Sequence, residues 1–199
     1  MKSFIFMALI SLLATGVEAQ KIAVKSGKID FLKNEKSIAV SFTYEDLKVG
    51  KDSEAAYIAK KKKEADEKNP GSGDSWHQAW VNDRSARYEP KFIELFNEQM
   101  SAKNGITIGK EAGGKYLMKI NTFFTEPGFN IGISRKPAIV SVLVTFTDET
   151  GATVATISVD NSSAASFGGF DFDAAYRIQE SYAKAGRELA KFLIKNLKL

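Results

Sequence analysis

Residues 138–160 read AIVSVLVTFTDETGATVATISVD and carry the clearest pattern in the chain. In the first half, one row of alternating side chains is mixed and the other is wholly apolar: Val140, Val142, Val144 and Phe146. Successive side chains of a strand point to opposite faces, so this pattern predicts a central strand covered on at least one face. Residues 148–151 then predict a hairpin turn that places Gly151 where a positive φ is needed, and residues 152–159 return antiparallel.

Two upstream segments also have the character of strands. Residues 38–44 alternate with period two, and residues 116–124 form a stronger apolar run. We expect the strands ending near Phe124, starting near Ala138 and ending near Asp160 to form an antiparallel meander. Under that arrangement, the loops 125–137 and 161–172 emerge at the same end of the sheet.

Helical patterns occupy much of the remaining chain. Asp52 or Ser53 caps a predicted helix that runs to about Asn69, and a second runs from Trp76 to about Tyr88, after which Pro90 kinks or restarts it. Asp173 caps a last helix over residues 174–197. Its apolar stripe is Ile178, Tyr182, Ala185, Leu189, Phe192, Leu193 and Leu197. Its opposite, polar face includes Arg177.

The order of elements predicts the fold class. One strand is followed by two helices, three or four strands and a final helix, without the long βαβαβ series of a doubly wound dinucleotide-binding fold. We therefore expect an α/β (α+β) two-layer sandwich, with one mixed, largely antiparallel sheet and helices packed on one side.

The amino-terminal residues predict export. Lys2 precedes an apolar run over residues 4–13, and small residues follow up to Ala19. This pattern is typical of a secretory signal peptide over residues 1–19, which leaves residues 20–199 as one domain. The run is shorter than the roughly 20 residues that a spanning helix needs. The alternative is a buried amino-terminal helix of the mature fold.

Composition narrows the compartment and the chemistry. The chain has no cysteine, which is unusual for a small secreted eukaryotic domain and fits the envelope of a Gram-negative bacterium, periplasmic or associated with the outer membrane. The formal net charge of +4 does not indicate nucleic acid as a partner. We expect no cofactor. We also expect no metal, because one histidine cannot build a histidine-based zinc site.

Two resemblances rest on these patterns. The meander, the turn at residues 148–151 and the closing amphipathic helix resemble envelope domains of the TolB amino-terminal or CsgG-like type. Residues 71–96 resemble secreted proteins of unknown function in Bacteroidota, through the following motif residues: Gly73, Asp74, Trp76, Trp80, Asp83, Arg84 and the run RYEPKF at 87–92. Neither resemblance implies catalytic residues, and the absence of an anchoring cysteine departs from the lipoprotein members of the first group.

The second helix carries candidate ligand-binding residues. Trp76, Trp80, Arg84 and Tyr88 recur every four residues and therefore share a face. This face predicts an aromatic and arginine binding surface. We also expect a cavity between sheet and helices, lined by Trp76, Trp80 and Tyr116, that could take a small molecule or a lipid. His77 and Arg84 are further candidate ligand-binding residues. The alternative is that the tryptophans pack on the sheet. A hydrolase acting through His77 is a further hypothesis, although the chain has no Gly-x-Ser-x-Gly elbow.

The two loops at the sheet end carry candidate partner-binding residues. These are Phe129, Ile131, Ile133, Arg135, Lys136, Phe167 and Phe170. Apolar residues gathered on loops often mark an interaction site. The alternative is that residues 129–133 form an edge strand with the phenylalanines tucked beneath it.

These observations lead to one preferred function and two alternatives. The preferred function is a non-enzymatic cell-envelope protein that binds a protein partner, or assembles with copies of itself, through the loops at one end of its sheet. The first alternative is a periplasmic module that binds a small molecule or a lipid, and the second is a hydrolase.

Overall fold

The computed structural model describes residues 20–103, 105–164 and 172–199. Within these ranges the α-helices are α1 Glu54–Lys68, α2 Ser72–Asp83, α3 Glu89–Ser101 and α4 Ala174–Leu197. The strands are β1 Lys21–Gly27, β2 Ser37–Thr43, β3 Lys48–Val49, β4 Asp52–Ser53, β5 Thr107–Gly109, β6 Leu117–Glu126, β7 Phe129–Asn130, β8 Arg135–Lys136, β9 Ile139–Thr147 and β10 Thr153–Ser162. A short 3-10 helix covers Asp30–Asn34 and a π-helical turn covers Arg84–Tyr88.

The main sheet has the strand order β1-β10-β9-β6-β2-β5, and β3 adds to β6 beside β4. Strands β1, β10, β9 and β6 pair antiparallel, whereas β2 pairs parallel with both β6 and β5. The sheet is therefore mixed and largely antiparallel. This confirms the predicted fold class.

The core lies between one face of this sheet and helices α3 and α4. From the sheet, β9 contributes its predicted apolar row, which is fully buried. From α3 come Phe92, Phe96 and Met100, and from α4 the residues Ile178, Tyr182, Ala185, Leu189, Leu193 and Leu197. Because the apolar row of a strand and the apolar stripe of a helix each occupy one side, the two layers bury them against each other. No helix in the described part of the chain is both long and apolar enough to cross a membrane.

The predicted meander is confirmed. Strand β6 runs antiparallel to β9, and β9 runs antiparallel to β10. The carboxyl ends of β6 and β10 therefore lie at the same end of the sheet. The segment that joins β6 to β9 and the segment that follows β10 leave the sheet at that end, which is called the loop end below.

Strand β1 was not predicted, since residues 21–36 look like a polar lead-in. It forms an edge of the sheet, paired with β10 through Lys21–Asp160 and Ala23–Ser158. Most of its residues are exposed, and Lys25 lies on it. An edge strand that buries little has no need of a long apolar row, and in β1 only Ile22 and Val24 alternate, which is too short a pattern to predict a strand.

The turn between β9 and β10 is held by one carboxylate. Asp148 Oδ1 accepts hydrogen bonds from the backbone N–H groups of Thr150 at 2.9 Å and Ala152 at 3.0 Å, and from Thr150 Oγ1 at 2.6 Å. Gly151, with φ of 83°, completes the turn as predicted. These bonds favour the ionised carboxylate, chiefly that from the Thr150 hydroxyl, and hold the pKa of Asp148 below its ordinary value of 3.8.

We therefore expect the hairpin turn to weaken in acid. A carboxyl group whose pKa is lowered by folding stabilises the fold above pH 3.8, and this contribution is lost as the pH falls through the folded-state pKa. An NMR titration should place the midpoint of Asp148 below 3.8, and the Thr150→Ala variant should raise it toward that value. Equal midpoints in the two proteins would show that the hydroxyl does not hold the carboxylate.

Helices α1 and α2 form a hairpin that packs mainly on itself. Among their described residues, α1 buries none and α2 buries only Gly73. The Ser53 cap is confirmed, since its side chain accepts a hydrogen bond from Ala56 N. A Cβ on Gly73 would lie 2.8 Å from Lys62 O, so this glycine permits the close approach of the two helices.

The chain continues from α2 to α3 through the π-helical turn. Glu89 N–H donates to Arg84 O, five residues back. Pro90 lies in the first turn of α3, where it needs no N–H partner. The prediction was that Pro90 kinks or restarts the helix, and the restart is confirmed, since α3 begins at Glu89. The π-helical turn directs Tyr88 into the core.

Candidate binding surfaces

A separate two-stranded hairpin stands at the loop end of the sheet. Its strands pair Phe129 with Lys136 and Asn130 with Arg135, and neither strand joins the main sheet. The alternative prediction, an edge strand over residues 129–133, is therefore wrong. Residues 129–136 are called the apolar hairpin below.

The apolar hairpin presents large apolar side chains to solvent. Phe129 is 43% exposed, Ile131 65% and Ile133 97%. Phe172, at the end of the other loop, is 65% exposed. These four residues lie at the loop end of the sheet, and exposed apolar residues gathered on loops often mark an interaction site. The other two predicted residues, Phe167 and Phe170, lie outside the described residues.

The base of the apolar hairpin is fixed to α4. Arg177, only 5% exposed, donates from Nε to Pro127 O at 3.1 Å and from Nη2 to Gly128 O at 3.1 Å. Lys136 Nζ pairs with Glu126 at 2.7 Å. The exposed tip therefore stands on an ordered support. The burial of Arg177 was not predicted, because helical spacing places it on the polar face of α4 and cannot reveal a loop folded over that face.

Position 128, at the base of the apolar hairpin, is occupied by glycine for a steric reason. Gly128 has φ of 63°, and a Cβ there would lie 2.2 Å from Lys136 O. No side chain fits between the two strands at this point.

A second candidate site is a cleft of about 390 Å³ where α1, α2, the start of α4 and the base of the apolar hairpin meet. It is called the aromatic cleft below. Its lining includes Tyr57, Trp76, Trp80, Asp83, Tyr88, Asp173 and Arg177. Trp76 and Trp80 were predicted to line a ligand site, whereas Tyr57 was not, because its aromatic partners lie on another helix.

Three aromatic rings of the aromatic cleft touch one another. Tyr57 lies 6.0 Å from Trp76 and 5.2 Å from Trp80, measured between ring centroids. Trp76 and Trp80 are 5.8 Å apart with their planes inclined by 18°. The tryptophans thus pack on α1, and only Trp80 also reaches the core. Burial raises the pKa of Tyr57 to about 12, so its phenol is neutral at physiological pH.

Arg84 serves the fold rather than the cleft. It pairs with Glu54, which also accepts a hydrogen bond from Trp80 Nε1 at 2.6 Å. Its guanidinium carbon lies 4.0 Å from the ring centroid of Tyr44, a cation–π contact. Tyr44 Oη in turn donates to Glu89 at 3.2 Å. This chain of contacts ties α1 to α2 and both helices to the end of β2.

One buried polar group beside the aromatic cleft has no hydrogen-bond partner in the part of the chain that the structure describes. Tyr88 is 4% exposed, and its hydroxyl makes no hydrogen bond with any described residue. Burial raises its pKa, and the neighbouring Asp83 carboxylate adds to the effect. Asp83 pairs with Arg87, four residues further along the helix, at 3.0 Å, and Arg87 also pairs with Asp173 at 3.0 Å.

His77 and Tyr116 lie apart from this cluster. His77 is half-buried, and it makes no hydrogen bond within the described ranges, so no nucleophile–base pair is formed around it there. Tyr116 packs against Phe31 at 4.4 Å between ring centroids. It precedes the first residue of β6, whereas Pro127 and Gly128 of the cleft follow the last, about 33 Å away for a ten-residue strand. The prediction that Tyr116 lines a cavity with the tryptophans is therefore wrong.

A broader depression of about 800 Å³ includes the following residues in its lining: Lys21, Asp46, Lys48, Phe123, Phe124, Ser141, Asp160 and Asn161. Its buried hydroxyl, that of Ser141, already accepts a hydrogen bond from Asn161 N at 3.0 Å. Larger volume alone does not make a site, and we favour the aromatic cleft because a buried hydroxyl there lacks a partner within residues 20–103, 105–164 and 172–199.

Comparisons with known proteins give little guidance. No family model matches the sequence, and no curated protein matches it. Among solved structures, the PelC dodecamer from Paraburkholderia phytofirmans in space group P6 is 13% identical, with a TM-score of 0.38 over 84% of this chain and 98% of that chain. A point variant of the same dodecamer in space group C2 is 14% identical, with the same TM-score and coverage. A similarity at this level supports no inference about function.

Proposed function

We propose that this chain is a non-enzymatic protein of the bacterial cell envelope that binds a protein surface through the apolar hairpin. The surface belongs to a partner protein or to a second copy of the chain. The observation that carries the proposal is the exposure of Ile131 and Ile133, at 65% and 97%, on a hairpin whose base is fixed by buried Arg177.

The energetic reason is the apolar area that remains in water. Burying an isoleucine side chain contributes roughly 1.5 to 3 kcal/mol. Ile131 and Ile133 do not gain this free energy in the folded chain, because they remain exposed. The base of the apolar hairpin, which carries them, is already ordered. Association through them therefore requires little further ordering of the backbone. The envelope compartment rests on the signal-like residues 1–19 and on the absence of cysteine.

We expect the Ile131→Ser/Ile133→Ser double variant to weaken association at least tenfold, or about 1.4 kcal/mol. Sedimentation measures self-association of the purified protein, and a photoreactive side chain at position 133 maps contacts in the native envelope. The free energy of unfolding should change little, because these side chains are already exposed in the folded chain.

The matched control is Leu117→Ser. Leu117 is an exposed apolar residue, 38% accessible, and it lies at the other end of β6. It should leave association unchanged. Unaltered association of the double variant, or no association of the wild type and no protein crosslink at position 133, would contradict the proposal. Loss of binding to anionic vesicles alone would identify a membrane rather than a protein as the partner.

A further inference from the structure

The aromatic cleft has an apolar wall and a polar rim. Its three rings are in contact, with centroids 5.2 to 6.0 Å apart, so no space remains between them for a guest. They form a continuous apolar wall, not the open cage that surrounds an alkylammonium ion. A ligand must therefore lay a flat apolar face against this wall.

The rim of the cleft is polar and its charges balance. The charged residues in its lining are Lys61 and Arg177, and Asp83 and Asp173. Asp83 and Asp173 each pair with Arg87 at 3.0 Å. Lys61 pairs with Glu64 at 2.7 Å, and buried Arg177 donates to two backbone carbonyls. Because each of these charges has a partner, the rim favours a ligand without net charge. A purely apolar ligand would strip water from the carboxylates without replacing their hydrogen bonds, which is unfavourable.

Tyr88 supplies the independent sign of a ligand. Its side chain lines the cleft, and its buried hydroxyl has no hydrogen-bond partner among the described residues. A buried polar group left unpaired costs about 1 to 3 kcal/mol, so native structures rarely retain one without a use. A ligand hydroxyl would satisfy it after a small shift of the cleft wall, because the hydroxyl has almost no accessible surface in the structure as described.

We propose that the aromatic cleft binds a neutral sugar ring, free or at the end of a glycan. The apolar C–H face of the sugar lies on Trp76 and Trp80, and its hydroxyls donate to Asp83 and Asp173. The cleft volume of about 390 Å³ falls in the range of about 300 to 1,000 Å³ that is usual for small-molecule sites. This site is separate from the exposed tip of the apolar hairpin, so the inference does not rest on the proposed function.

Intrinsic fluorescence tests the site directly, because Trp76 and Trp80 are the two tryptophans of the chain. The probes are the methyl glycosides of glucose, galactose and N-acetylglucosamine, and the β-linked trimers of the same sugars. At least one should change the emission with a saturable dependence on concentration. Tighter binding of a trimer would indicate a glycan, and equal binding a free sugar.

Three variants separate binding from folding. Trp76→Ala should weaken binding at least tenfold while Trp80 still reports. Tyr88→Phe should weaken it severalfold without lowering the free energy of unfolding, since it removes only an unpaired hydroxyl. Phe123→Ala, on a side chain outside the cleft, is the control and should bind like the wild type.

The outcomes are decisive in both directions. No response to any of the six probes, or wild-type binding by a folded Trp76→Ala variant, would overturn the inference. The Ile131→Ser/Ile133→Ser variant should bind the sugar normally, so failure of one proposal is distinguishable from failure of the other.

Discussion

Replacing Gly186 by alanine should lower the free energy of unfolding by about 3 kcal/mol. Gly186 lies in α4 where this helix crosses α3, and a Cβ there would be 2.3 Å from Phe92 O and 3.0 Å from Phe92 C. Both atoms belong to backbone, so neither can rotate away. The added methyl group must push α3 and α4 apart and open the core between them.

The sign of the change in unfolding free energy shows whether steric crowding or helix propensity dominates at position 186. Alanine is the better helix former by about 1 kcal/mol, so an uncrowded helix would be stabilised by the change. We expect the opposite here, with the midpoint of thermal unfolding lowered by roughly 6 to 12 °C. Urea unfolding followed by circular dichroism measures the free energy.

The matched control is Gly113→Ala, since no atom lies within 4 Å of the Cβ position there. That variant should stay within about 0.5 kcal/mol of the wild type. A Gly186→Ala protein as stable as this control would mean that α3 and α4 do not approach as closely as described.

The second expectation concerns the attachment of the α1–α2 hairpin. The Glu54→Ala variant should destabilise the hairpin by about 3 kcal/mol. It removes the partner of Arg84 and the acceptor of Trp80 Nε1. Both charged side chains are only 19% exposed, so the orphaned guanidinium cannot be fully rehydrated without movement.

The loss should be local. Because α1 buries none of its described side chains, few apolar contacts can replace the missing polar ones. Hydrogen exchange should accelerate in α1 and α2 and remain slow in α4, and the tryptophan emission should shift to the red.

Glu67→Ala provides the control. Glu67 is 65% exposed and lies 3.9 Å from Lys63, so its removal should change stability by less than about 0.5 kcal/mol. Uniform exchange in wild type and Glu54→Ala would show that the hairpin is held by other contacts.

The parts of the site that depend on local sequence were predictable, and the parts that depend on contacts between distant segments were not. The apolar residues 129–133 and the loop end at which they lie follow from strand alternation and from the meander. The aromatic wall was half predicted: Trp76 and Trp80 share a helical face, but Tyr57 comes from α1 and has no link to them in the sequence. The burial of Arg177 was not predicted and Tyr116 was misplaced, because their surroundings come from segments distant in the chain.

The sequence by itself determined the layers of this protein, whereas the tertiary structure decided its surfaces. The alternating row of β9 and the stripe of α4 state which side each element buries, since side-chain direction repeats with the local backbone period. No local period states which loop will cover Arg177, which strand will pair along β10, or which ring will meet Trp76. Those contacts form between residues far apart in the chain. They contribute to stability only after the core has brought the segments together.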